Sequence, residues 1–300
     1  MATLYTQADS NIRKTWFLIT AFLVIVIAFG WLLSKYFEAP IILYVAVLIS
    51  VFSSIGSYWF SDKLVLAMTH SKPITEKDNQ ELFHIVENLC IASGMSMPKI
   101  YIMQELQPNA FATGRNEKNS VVVVTAGLLQ KLNKVEIEGV IAHELSHIKN
   151  KDVLLQTVVV VLVGVVAILA DFFLRMGAFG GFRSNDDDSK AGALMLVLTL
   201  VAAILAPVAA TLIQLAISRK REFLADASAG LLTRYPEGLA SALEKIAKDP
   251  SPIRFVNNST AHLFIASPFK GKRAGNWLTK LFLTHPPVEQ RISALRGLKI

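Results

Sequence analysis

Four stretches of this chain are nearly free of charge: residues 15–34, 39–61, 153–170 (continuing through Asp171 to Leu174) and 191–218. A bilayer-spanning helix needs about 20 apolar residues, so each is read as a membrane span. Residues 35–38 leave only a short link between the first two, which predicts a helical hairpin. Arg13 and Lys14 precede the first block, but it is long for a signal peptide and no small-x-small cleavage site follows, so it is read as a retained anchor. Pro207 interrupts the fourth block, and Gln156 and Thr157 are polar positions in the third, so buried helices of a soluble core are the competing reading for these two blocks.

Between the blocks the pattern changes. Leu82, Ile85, Val86 and Leu89 share a helical face, predicting a helix over 75–93 with Thr75 as N-cap and Gly94 as stop. Residues 99–103 read as a strand. Residues 110–113 and 120–125 read as two strands joined by a polar turn rich in Gly and Asn. A helix follows over 134–150, capped by Asn133 with Glu136 in its first turn, and further helices are expected over 236–248 and 287–298. The expected organisation is a membrane hairpin (1–61), a soluble part with a β-sheet and a helix carrying His143 and His147 (62–152), a second membrane hairpin (153–218) and a soluble C-terminal part (219–300). The fold class is thus a mainly α integral membrane protein with four transmembrane helices and a small β-sheet.

Composition agrees: 53% of residues are hydrophobic and only 18% charged, against about a quarter charged in soluble domains. The net charge of +7, beside such apolar blocks, points to a lipid bilayer and not to nucleic acid. Four spans put both termini on one side with most Lys and Arg, and the positive-inside rule makes that side cytoplasmic. Asp186, Asp187 and Asp188 fall in the opposite loop and read as solvated. Cys90 is the only cysteine, so no internal disulfide forms, and it reads as a small buried hydrophobe.

The chemistry lies in His143-Glu144-Leu145-Ser146-His147. Two His four residues apart on a helix lie on one face, one turn apart, where they can share a zinc ion. Glu144 is placed to reach a water at the metal without ligating it. A catalytic zinc needs a third protein ligand and an open position, and Glu222 is the candidate. His147 precedes the third apolar block by six residues, and Glu222 follows the fourth. At 1.5 Å per residue each lies roughly 6–9 Å beyond the bilayer, at similar height if the two blocks pair. Asp226, one turn past Glu222, can accept from the free N–H of a ligand His. The competing readings pair Glu222 within Arg219-Lys220-Arg221 and Asp226 with Arg219 or Arg221. His70, His84 and His262 read as ordinary residues.

Residues 143–152 and 218–226 resemble the two zinc segments of the HtpX heat-shock membrane proteases. Residues 109–114 look like that family's strand beside the cleft, and Thr284-His285-Pro286-Pro287 with Glu289 and Arg291-Ile292 look like its C-terminal element. The CAAX prenyl proteases share the zinc motifs but have more spans. The resemblance implies a gluzincin-type fold, one zinc ion, a cytoplasm-facing site in the plasma (inner) membrane, and endopeptidase activity in quality control of unfolded or damaged membrane proteins. It implies that substrate adds as a strand beside Asn109, Ala110, Phe111, Ala112 and Thr113, with core packing the competing role for Phe111. It makes His285 a candidate donor to the transition state; the alternative is a turn residue. A non-catalytic zinc-stabilised adaptor or chaperone-like protein is the rival class. A transporter is disfavoured, because Asp171, at a span's edge, is the only acid near one.

Overall fold

The computed structural model describes residues 4–36, 38–178, 219–251, 263, 265 and 286–298. Helix α1 (Leu4–Tyr36) and helix α2 (Ile41–Trp59) form the first hairpin. They are the two described helices long and apolar enough to cross a membrane. Both turn large apolar side chains outward, among them Phe17, Val24, Ile41, Leu48 and Phe52, which suits contact with lipid. At Gly30 the helices meet so closely that any Cβ would collide with Ala46, as small residues allow in membrane helix pairs. Trp16 stacks on Tyr58 with ring centroids 5.4 Å apart, and Tyr58 meets Trp59. Such rings mark the membrane–water boundary.

Helix α3 (Ser61–Met68) leads to a four-stranded sheet of β1 (Lys72–Pro73), β2 (Lys99–Met103), β3 (Ala110–Gly114) and β4 (Ser120–Thr125), ordered β1-β2-β4-β3. The expected hairpin is present, with β3 antiparallel to β4 and Ala110 opposite Val124. Gly114 adopts φ +134°, and a Cβ there would strike the backbone of Asn119, so only glycine fits that turn. The sequence did not suggest the antiparallel β1–β2 pair or the parallel β2–β4 pair. All of β4 is buried. Val122 and Val124 join one core with helix α4 (Gln80–Ser93), while Val121 and Val123 join another with Val65 of α3.

Helix α4 starts later than expected. Asp78 accepts from both the backbone N–H and the hydroxyl of Thr75 at 2.7 Å, closing a separate turn. Asn79 instead caps the helix by accepting from Leu82 N–H, and Gly94 ends it in the left-handed region.

A short helix α5 (Ala126–Lys131) precedes α6 (Lys134–Lys149), which has a full capping box between Asn133 and Glu136. Helix α6 is buried on nearly every side. Helices α8 (Arg219–Thr233) and α9 (Pro236–Lys248) pack against it, and α10 (Val288–Arg296) packs on those two.

The third apolar block begins helix α7 (Asp152–Ala178). Residues 153–163 are buried, many of them against Leu18, Ile19 and Phe22 of α1. This half of α7 is therefore a packed internal helix as much as a lipid-facing one. The fourth block lies outside the described residues, so four spans remain an expectation.

Candidate metal centre

Three elements converge on one buried point. Helix α6 supplies His143, Glu144 and His147; α8 supplies Glu222 and Asp226; the first turn of α7 supplies Asp152. Helix α6 ends at Lys149, and Lys151 takes φ +57°. That left-handed turn is unfavourable for a non-glycine residue. It folds the chain back sharply enough to return Asp152 to His147 one turn behind it.

The imidazoles of His143 and His147 face each other with Nε2 atoms 3.1 Å apart. Glu222 lies 3.4 Å from His147 Nε2 and 3.9 Å from His143 Nε2. Ligand atoms set tetrahedrally about zinc at ~2.0–2.1 Å stand roughly 3.3–3.4 Å apart, so this spacing fits. Among the described residues His143, His147 and Glu222 form the group able to hold a metal ion, with ligand atoms within 4.8 Å of one another.

The other ring nitrogens are held as well. His143 Nδ1 lies 2.9 Å from Asp226, and His147 Nδ1 lies 3.0 Å from Asp152. A carboxylate on Nδ1 fixes the tautomer and turns the Nε2 lone pair toward the metal. With their Nε2 protons displaced, two imidazoles and one carboxylate are a donor set that suits a divalent cation. Burial and the charges of Arg291 and His147 lower the pKa of His143, although Asp226 works against them. Burial also opposes charge on His147, but the hydrogen bonds to Asp152 and Glu222 outweigh it and raise that pKa well above the ordinary range.

Arg291 of α10 is the largest fully buried side chain among the described residues. It grips both oxygens of Asp226, Nε at 2.8 Å and an Nη at 2.7 Å, and its other Nη lies 3.6 Å from Glu222. Burial alone would raise the Asp226 pKa, but Arg291 and His143 hold it down at about 2. Arg291 thus neutralises the second buried acid of the pair spaced i, i+4.

A cleft opens on this group, lined by Phe111, Ala112, His143, Glu144, His147, Gln156, Leu263 and Ile265. Of the expected substrate strand, Phe111 and Ala112 reach it. Phe111 also packs with Met103 and Val160, so core packing is part of its role. Ala110 faces the core. The Asn109 side chain accepts from Ile265 N–H at 2.9 Å, and the Thr113 hydroxyl lies 3.3 Å from that of Thr157; both brace the strand. Among the described residues β3 is the last strand of the sheet, beside β4. His285 falls outside the described residues. Glu222 is buried while its neighbours Arg219 and Lys220 are exposed, and Arg221 turns to Asp152 at 3.5 Å. The sequence reading gave no role to Asp152, Arg291 or Asn11. For Asp152 the available signal was an acid opening an apolar helix, five residues past His147.

Peptidase family M48 matches residues 76–299. A Protease HtpX homolog of Dictyoglomus turgidum is 47% identical over 295 residues, covering 98% of this chain and 94% of the relative. A Protease HtpX homolog of Caldanaerobacter subterraneus is 43% identical over 302 residues, 99% of each chain. Among solved structures, S. mikatae Ste24p is 18% identical, with a TM-score of 0.49, over 97% of this chain and 67% of that one.

Proposed function

Because this chain belongs to peptidase family M48 and is a membrane metalloprotease of the HtpX type, we propose that it is a zinc endopeptidase acting on unfolded or damaged membrane proteins. The observation that carries the zinc assignment is the convergence of both Nε2 atoms and Glu222 in a cleft that Glu144 also lines. Zinc held by His143, His147 and Glu222 would supply Lewis-acid polarisation and lower the pKa of a water toward about 7.

The remaining work falls to the chain itself. Glu144 takes a proton from the attacking water and delivers it to the leaving amine. Asp226 and Asp152 keep the two imidazoles oriented, and Arg291 holds Asp226. An extended substrate would add as a strand beside β3, where Phe111 and Ala112 line the cleft. His285 is assigned as donor to the charge developing on the substrate carbonyl. We place the site and both termini in the cytoplasm and the helices in the plasma (inner) membrane, on the distribution of Lys and Arg.

The zinc-stabilised adaptor is the alternative, and one comparison separates them. Glu144→Gln should keep full zinc content by metal analysis while cleavage of an unfolded reporter falls at least a thousandfold. Turnover retained in the pure variant removes Glu144 from the chemistry. Glu222→Ala should lower zinc stoichiometry, and an unchanged value would require another third ligand.

A further inference from the structure

We infer that Asn11, at the outer end of membrane helix α1, is a positioning residue of the metal centre: it fixes Asp152 and, through Asp152, the His147 ring. Asn11 is only 1% exposed, unusual for a side chain that prefers water. Its amide nitrogen donates to Asp152 Oδ1 at 2.7 Å and to the backbone carbonyl of Asn150 at 3.1 Å. Its amide oxygen accepts from Arg221 at 2.7 Å. Only this amide orientation gives all three contacts a donor and an acceptor. The flipped amide would set its oxygen against a carboxylate and a carbonyl, and its NH₂ against a guanidinium.

The consequence follows from what Asp152 does. One of its oxygens holds His147 Nδ1 at 3.0 Å, and the other is held by Asn11 and approached by Arg221. With Asn11 in place the carboxylate cannot rotate away from the imidazole. Asn11 also binds the carbonyl just before the left-handed turn at Lys151, so it pins the bend that presents Asp152. Segments 139 to 210 positions distant in sequence thereby meet at one amide. The membrane hairpin is then part of the metal site's scaffold, as well as its anchor.

This inference rests on the zinc reading, and the test keeps the two apart. Full-length, zinc-loaded protein in detergent is mixed with a chromogenic chelator, and the rate of zinc loss is followed. Loss of an outer partner of a metal-bound His typically costs 10–100-fold in metal affinity. Asn11→Leu removes the amide at similar volume, and Asn11→Asp turns a carboxylate on Asp152. Both should lose zinc about tenfold faster than the parent, and both should lower kcat on an unfolded reporter with KM unchanged. Thr15→Val is the control: the Thr15 hydroxyl is buried one turn along the same helix but donates only to the carbonyl of Asn11. It should match the parent. If Asn11→Leu does not assemble, the smaller Asn11→Ser is read by the same clock. Parental zinc loss in the Asn11 variants, with accelerated loss in Asp152→Asn, overturns the role of Asn11 and leaves the zinc reading standing. Parent protein that binds zinc no better than a His143→Ala, His147→Ala double variant overturns the zinc reading itself.

Discussion

Arg291 shows how much of the site depends on a residue that touches neither metal nor substrate. Its guanidinium is wholly buried and holds both oxygens of Asp226. Removing one partner of a buried pair typically costs about 3–5 kcal/mol, because the other charge is left uncompensated. Arg291→Met should therefore lower the thermal midpoint in detergent strongly. Arg291→Lys keeps a charge but cannot grip both oxygens as a planar fork does, so its drop should be smaller and its zinc loss still faster than the parent's. Equal midpoints for Arg291→Met and the parent would show that Asp226 does not need the guanidinium. At this scale the sequence reveals what is local. His143, Glu144 and His147 announce themselves by spacing, and Glu222 and Asp226 by their place just past an apolar block. Asp152 stands only five positions past His147, but Asn11 and Arg291 matter through contacts across 65 to 210 positions, and no periodicity in a single chain encodes those.

The element that carries the site, α6, was legible by its cap and hidden by its burial. Asn133 and Glu136 announce its start, and both halves of the capping box form. Its buried face, however, runs round the whole helix from Glu136 to Ile148, so an amphipathic pattern has no contrast to show. Its closest neighbour is α9, where a Cβ on Gly139 would lie 2.6 Å from the backbone nitrogen of Leu239; close helix contacts of this kind leave no mark in hydropathy. Glu136 links the two helices further. It accepts from Ser241 at 2.6 Å and Lys245 at 2.8 Å while completing the cap. Burial would raise its pKa, but the hydrogen bonds from Lys245, Ser241 and the Asn133 backbone outweigh it and hold it below the ordinary carboxylate range. A depressed folded pKa means the contribution is fully present above the unfolded value and is lost as pH falls through the folded one. Glu136→Ala should thus lower the thermal midpoint at pH 7, with the cap alone contributing about 1 kcal/mol. The gap to the parent should narrow once the pH drops below about 4. A gap that stays constant to pH 3 would mean that Glu136 acts through packing and not through its charge.

At the scale of the whole molecule, the position of the site relative to the bilayer is set by α1. Trp16 stacks on Tyr58 at one end of the membrane hairpin, and aromatic residues of this kind settle at the interface. From Trp16 to the end of α1 at Tyr36 is about 30 Å of helix, the thickness of the hydrocarbon core. Asn11 lies five residues before Trp16, or about 7.5 Å further out along the helix, and it is two hydrogen bonds from a metal-binding imidazole. On the membrane reading proposed above, the candidate metal centre would sit close against the bilayer surface. An extended chain advances about 3.3 Å per residue, so a polypeptide emerging from the bilayer reaches that depth within roughly 3–5 residues. A reporter anchored by one transmembrane helix, with polar spacers of increasing length, should be cut in proteoliposomes at bonds that close to its anchor. Longer spacers should add new cleavage positions without being required for the first. Mass spectrometry of the products reads this directly. If no cut appears until the spacer passes about ten residues, some 30 Å of extended chain, then the metal centre stands well off the bilayer and Trp16 does not mark its surface.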